Sequence, residues 1–394
     1  MYRTPMLSNT EVSALETFRA EFPLCTERAY FFPGSHGPLS SHGRAGALRV
    51  LDEWNATGFH VHDDESHIAD QCVSNVARLF RCHVSQIAIT TCTSDALNTG
   101  ASLVLENWKR HGSPPANVVI HHECHAASSY GFVYPSLRGV PIEIRYADPG
   151  DDKTTLEAIC DAVDANTIAV VVTHVNNWNG NRLDVVELAS RFPNREFALL
   201  VDAAQTAGAL DLADVVRVSD FVGMPAYKFL LGPAGIGFLV MAERWISEPG
   251  PLSVGWAGMK EPLPILPREI NVNTTAAAFR MGIPNYLGLA IASEGIRLLA
   301  DTGPTLIENQ IREITEMTIN RIMTLGLRLT TSTEWTSRGP VLTVCHPDAE
   351  GAMRSLATQG IDVGVERTEI RVDVHAYNNA ADVERLVNGL AATL

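Results

Sequence analysis

FALLVDAAQTAGALDLADVVRVSDFVGMPAYKFLLGPAGIGFLVM, residues 197–241, opens with an apolar run of strand length, 197–201, that delivers Asp202 at its carboxyl end. A second short apolar piece, 220–223, leads to Lys228, and a glycine-rich turn then feeds another apolar run, 236–241. Taken singly, a lysine after an aromatic residue is a common surface charge, and GPAGIG is an ordinary turn. A dinucleotide-binding glycine loop is disfavoured, because such a loop opens a helix and this one runs into FLVM. An acid at one strand end and a lysine beside the next is what pyridoxal phosphate chemistry requires. The lysine holds the cofactor as a Schiff base, and a buried carboxylate keeps the pyridine nitrogen protonated so that the ring accepts electrons.

The chain around this stretch has 394 residues, enough for a large core and two domains. Hydrophobic residues make up 46% and charged residues 19%, an ordinary globular composition. A formal charge of −15 with no basic block argues against nucleic acid or an anionic membrane as partner. No apolar run approaches the roughly 18 residues of a membrane span, and the N-terminal residues lack the pattern of a signal peptide. Seven cysteines without regular spacing read as reduced thiols, and a cytoplasmic location is expected. HHECH, residues 121–125, lacks the H-E-x-x-H spacing that sets two histidines on one helical face, so no metal site is expected.

Short apolar strands alternate with helical patterns through the first two thirds of the chain, which predicts βαβ units and a mainly parallel sheet. Strands are expected at 87–91, 118–120, 142–146 and 168–173, and helices at 8–22, 71–80, 156–163 and 185–192. Asn9 or Thr10 is the expected cap of the first helix. A helical region rich in histidine and acid is expected at 45–70. After the strand at 87–91, Thr93, Ser94 and Asp95 open a helix, whose free N–H groups and positive dipole end suit a phosphate. The last third predicts helices at 286–300 and 304–325. A small α+β unit follows, with strands at 327–331, 341–345 and 370–375.

In detail the 197–241 stretch resembles class V of the pyridoxal phosphate-dependent transferases. That family contains cysteine desulfurases, isopenicillin N epimerase-like enzymes, kynureninase and lincosamide-pathway enzymes. Its pattern of strand, D-x-x-Q/H, lysine and G-P-x-G-x-G is filled here by Asp202, Gln205, Lys228, Gly232, Pro233, Gly235 and Gly237. The resemblance implies an α/β fold of type I, with a mainly parallel seven-stranded sheet in a large domain and a small α+β C-terminal domain. It divides the chain into an N-terminal segment 1–28 packing with the small domain, a large cofactor-binding domain 29–285 and a small domain 286–394. It also implies a homodimer acting on an amino acid.

The same resemblance assigns roles. Lys228 is the catalytic lysine and Tyr227 its neighbour, in a Y-K-F closer to kynureninase than to desulfurases. TSDALN places Thr93 and Ser94 at the cofactor phosphate, and HVNNWNG places Asn177 at its phenolic oxygen. Asp202 and Gln205 complete the cofactor set. In HHECH the register puts Cys124 at the position of the family's ring-stacking histidine and His125 one place later, and either could face the ring. PGSHGP makes Ser35 and His36 substrate-contact candidates, and EIRVDVHAYNN, which resembles the family's R-x-S segment, makes Arg371 the receiver of the substrate carboxylate. Ile283 stands where the family has a threonine that reaches a partner subunit's phosphate. Arg280, Thr274 or Thr275 is the candidate replacement.

Desulfurases carry a nucleophilic cysteine just before the carboxylate-binding arginine, and residues 361–370, IDVGVERTEI, have none. The expected reaction is therefore a lyase step, β-elimination with C–S cleavage of a cysteine conjugate in secondary metabolism. Decarboxylation-coupled oxidative deamination, aminotransfer and epimerisation stay open beside it. A non-enzymatic role for the fold is disfavoured by the joint presence of Lys228 and Asp202.

Overall fold

The computed structural model describes residues 8–58, 64–247, 250–261 and 270–394. Strand β1 (Ala29–Tyr30) precedes seven strands that build one sheet: β2 (Ile87–Thr90), β3 (Ala116–His121), β4 (Ile142–Ala147), β5 (Thr167–Thr173), β6 (Ala198–Asp202), β7 (Phe221–Pro225) and β8 (Gly237–Met241). Four more follow, β9 (Val341–Val344), β10 (Ile361–Asp362), β11 (Gly364–Glu366) and β12 (Glu369–Asp373). The large sheet has the order β2-β8-β7-β6-β5-β3-β4. Only β8 runs antiparallel to its neighbours; every other pair within the sheet is parallel.

The sheet's inner strands are apolar without alternation because helices cover both faces. Every residue of β3, β6, β7 and β8 is buried. On one side lies helix Thr93–Arg110, whose Ala96, Leu97, Ala101 and Leu105 pack with Leu200, Phe221 and Leu239. Gly100 is required there, since a Cβ would sit 2.9 Å from the Phe221 ring. The parallel strands end along one edge; Asp202 is the last residue of β6, and the segments just past the other ends carry Thr93, His125, Asn177 and Lys228. Ligands of open α/β sheets collect at that edge.

The C-terminal part is a three-stranded antiparallel sheet, β11-β12-β9, with helix Ala349–Thr358 against it; helix Ala380–Ala391 packs on that helix and on helix Pro304–Thr324. β1 pairs in parallel with β10. The first helix, Asn9–Ala20, sends Arg19 to Asp382 at 2.6 Å and lays Phe18 on His375. Helix Tyr286–Thr302 packs on helices Ser41–Thr57 and Asp64–Phe80, where Asn75 Nδ2 donates to Ser293 Oγ at 3.0 Å.

Several local expectations are corrected. Ser8, not Asn9 or Thr10, caps the first helix, because only from there does Glu11 fall at the third helical position and close a capping box. The expected helical region 45–70 is two helices: Ser41–Thr57 ends at Gly58, whose φ is +67°, and the second begins at Asp64 rather than at 71. Residues 59–63 of that region lie outside the described residues. The expected strand at 327–331 forms only one bridge, Leu329 to Val344. There the Thr331 hydroxyl takes the Thr343 N–H at 2.8 Å and stops the ladder.

Candidate active site

Eight residues singled out from the sequence line one cavity: Thr93, Ser94, His125, Asn177, Asp202, Gln205, Tyr227 and Lys228. Asp202, 3% exposed, is held at both oxygens. Ser128 Oγ donates to Oδ2 at 2.5 Å, and the Ala204 N–H donates to Oδ1 at 2.8 Å. Such donors fix the carboxylate's direction. Lys228 is half-buried, its Nζ 5.8 Å from the centre of the Tyr227 ring. Burial lowers its pKa below the usual lysine value; Asp202 opposes that shift and Arg371 adds to it. The amine is thereby made easier to deprotonate.

Helix Thr93–Arg110 presents its first N–H groups to the cavity, and its N-cap, Cys92, offers them no side-chain acceptor. Asp95 turns back instead to the Thr91 N–H at 2.8 Å. An uncapped helix start, an oriented carboxylate and a lysine of lowered pKa fit the phosphate, pyridine nitrogen and aldehyde carbon of pyridoxal phosphate in turn.

His125, rather than Cys124, reaches the cavity wall. Its ring caps helix Ala126–Leu137, Nδ1 accepting from the Ala127 N–H at 3.1 Å, and that bond sets the ring's direction. Cys124 is turned to the Thr173 hydroxyl at 3.4 Å, and burial pushes its thiol up to about 12. It is a packing residue.

The entry loop closes over the lysine. The Gly37 N–H donates to the Tyr227 carbonyl at 2.7 Å, and a Cβ on Gly37 would stand 2.3 Å from the Lys228 carbonyl oxygen. His36 is exposed and tilts against the Tyr227 ring at 5.3 Å; Ser35 Oγ lies 3.2 Å from His36 Nδ1. Neither residue lines the Lys228 cavity itself.

Arg371, 6% exposed, sits in a closed hydrogen-bonded ring. Its Nε–H donates to Asp373 Oδ1 at 2.8 Å and its Nη2 to Gln205 Oε1 at 3.2 Å. Gln205 Nε2 donates to the Gly34 carbonyl at 3.2 Å, and the Gly34 N–H returns to Asp373 Oδ2 at 3.0 Å. Asp373 is fully buried, and burial raises its pKa against the opposing pull of Arg371. Sequence reasoning missed Asp373, which stands where the family's R-x-S segment has serine. The signal was available: two residues after Arg371 in a strand is the same face. Ser128 and Glu366 were missed as well. Glu366 Oε2 lies 3.7 Å from Arg371 Nη1.

Two of the three candidate replacements for the phosphate threonine, Thr275 and Arg280, are committed within the chain. Thr275 Oγ1 donates to Asn273 Oδ1 at 2.9 Å, and Arg280 reaches Asp70 at 3.2 Å. Ile283 is 60% exposed on the wall of a neighbouring cavity of about 560 Å³. Among the described residues no group of three histidine, cysteine or acidic side chains is placed to hold a metal, and no helix is long and apolar enough to cross a membrane.

The family model for class-V aminotransferases matches residues 50–386. The chain belongs to the class-V aminotransferase family. This family assignment carries dependence on pyridoxal phosphate and enzymatic character. An uncharacterized aminotransferase, C777.03c, of Schizosaccharomyces pombe is 25% identical over 96% of this chain and 95% of its own. Among solved structures, the apo cysteine desulfurase of Thermococcus onnurineus superposes with a TM-score of 0.81 at 20% identity, covering 96% of this class-V chain and 97% of its own. A cystine C–S lyase in complex with cysteine persulfide gives 0.80 at 18% identity, over 94% and 99%. At these identities the two structures establish the fold, the type I α/β architecture.

Proposed function

We propose that this class-V enzyme is a lyase that cleaves the C–S bond of an S-substituted cysteine by β-elimination, in a pathway of secondary metabolism. The observation that carries the reading is the tight turn between β11 and β12. Glu366 pairs directly with Glu369, so only Arg367 and Thr368 connect the strands, and no thiol-bearing loop precedes Arg371. Sulfur transfer to a protein thiol has no acceptor there. A base and a carboxylate anchor are what remain.

Thr93, Ser94, His125, Asn177, Asp202, Gln205 and Lys228 would hold the cofactor, which supplies an electron sink for the carbanion at the substrate's Cα. Arg371 would bind the substrate carboxylate through the donors its ring leaves open, with Ser35 and His36 beside it. Lys228, its pKa lowered by burial, takes the Cα proton. The Cβ–S bond then breaks with its electron pair on sulfur, which leaves as a thiol once protonated. The three-carbon remainder takes up water and departs as pyruvate and ammonia, so no oxidant is needed.

The reading also includes a homodimer. Leu252, Met281 and Ile283 are each more than half exposed and share one cavity wall, an apolar patch suited to a second copy of the chain.

The test is product analysis with an S-alkyl cysteine and the pyridoxal phosphate-loaded protein. Pyruvate and free thiol in equal amounts are expected. A 2-oxo acid that retains sulfur, or racemised starting material, would overturn the lyase reading in favour of aminotransfer or epimerisation.

A further inference from the structure

The carboxylates around Arg371 bear on what the sulfur of the substrate carries. Asp373 is fully buried and bound to Arg371 Nε, so the charge of the carboxylate anchor is already matched inside the ring with Gln205 and Gly34. Glu366 is a second carboxylate on the same face. In the β11–β12 ladder Gly364 pairs with Arg371 and Glu366 with Glu369, which puts Gly364, Glu366 and Arg371 on one side of the hairpin. That side looks onto the entry loop. A Cβ on Gly364 would lie 2.2 Å from the ring of Phe32, immediately before residues 33–37.

Glu366 is about one-third exposed, and among the described residues its carboxylate accepts no hydrogen bond; its ion-pair neighbour is Arg371, at 3.7 Å. That separation exceeds hydrogen-bonding distance. Its charge is close enough to Lys228 to oppose slightly the lowering of that amine's pKa by burial. The adjacent cation is placed elsewhere: Arg367 sits over the Trp178 ring, 3.8 Å from its centre, and forms no ion pair with Glu366 among the described residues. An acid thus stands beside Arg371, partly exposed and, among the described residues, not committed to any hydrogen-bond donor.

We infer that Glu366 is a specificity-determining residue that receives a cationic group on the S-substituent, so that the preferred substrate is a cysteine conjugate bearing an amine. The inference rests on the lyase reading for the identity of the conjugate, and on Glu366 alone for its charge. When the α-carboxylate docks on Arg371, it takes the place Glu366 holds at 3.7 Å, and the displaced acid meets the distal ammonium. A neutral substituent leaves Glu366 without a partner, and an acidic one places like charges together, which disfavours it further.

The holoenzyme is to be compared on S-(2-aminoethyl)cysteine, S-propylcysteine and S-(carboxymethyl)cysteine, which differ chiefly in the charge at the far end. Binding is followed through the cofactor's absorption and turnover through pyruvate. About tenfold preference for the amine over the propyl conjugate is expected in both dissociation constant and kcat/KM, with the carboxymethyl conjugate last. Glu366→Gln is expected to lose the amine's advantage and to improve the carboxymethyl conjugate. Glu366→Asp keeps the charge and should restore part of the preference. Equal or reversed order in the wild type, or an order unchanged in Glu366→Gln, overturns the inference. Preferential binding of the amine without pyruvate release supports it and overturns the lyase reading. Absorption unmoved by all three overturns both.

Discussion

At the scale of single residues, the site is governed by how each charge is held. Asp202 depends on Ser128 and on a backbone N–H, so Ser128→Ala should leave the fold intact and weaken cofactor binding by about tenfold, the worth of one hydrogen bond to a charged group. Titrating the apoprotein with pyridoxal phosphate measures it; unchanged affinity would remove Ser128 from the account. Gly34 is the other sensitive point. A Cβ there would meet Arg371 Nη2 at 2.2 Å and Asp373 Oδ2 at 2.5 Å. Both groups are buried and bonded on the far side, so neither can retreat freely. Gly34→Ala should therefore raise KM roughly 10- to 100-fold while cofactor uptake stays normal. Asp202 and Lys228 were legible in the sequence because each follows a strand that announces itself by an unbroken apolar run. Ser128 was not legible, since its bond to Asp202 spans 74 positions and nothing local marks it.

At the scale of elements, the strands of the large sheet were readable and the end of the C-terminal ladder was not. Continuous runs such as ALLVD and GFLVM can be satisfied only between covered faces, whereas 327–331 has strand-like residues and a threonine whose hydroxyl intercepts the ladder. The choice between Cys124 and His125 was likewise closed to sequence, because it turns on which of the two caps a helix. One element carries a pH dependence. His375, fully buried, is stacked on Tyr377 and bonded through Nε2 to the Phe229 carbonyl beside Lys228. Burial lowers its pKa from 6.5 to about 4. The unfolded chain therefore binds the proton first as the medium is acidified. Stability from this group is complete above pH 6.5 and is lost as pH falls towards 4, by about 3 kcal/mol in all. His375→Gln should flatten that part of the curve in denaturant unfolding followed from pH 7 to pH 4; an undiminished acid slope would exclude His375 as its source.

At the scale of the whole molecule, class membership, cofactor and fold all rest on one edge of one sheet, where five strand ends deliver the cavity wall. The apolar patch around Met281 and Ile283 belongs to this scale too. Ile283→Asp should shift a dimer to monomer in analytical ultracentrifugation, since a charge in an apolar interface core costs several kcal/mol. A variant as dimeric as the wild type would place the interface elsewhere. The central claim is that Lys228 carries the cofactor and moves the substrate proton. Lys228→Ala should lower turnover by about a thousandfold or more. The most direct measurement comes before any kinetics: load the protein with pyridoxal phosphate, reduce it with borohydride, digest it and map the peptide that gains the cofactor's mass. The account requires the label on Lys228, and on no residue of Lys228→Ala. A label on another lysine, or none at all, would contradict it.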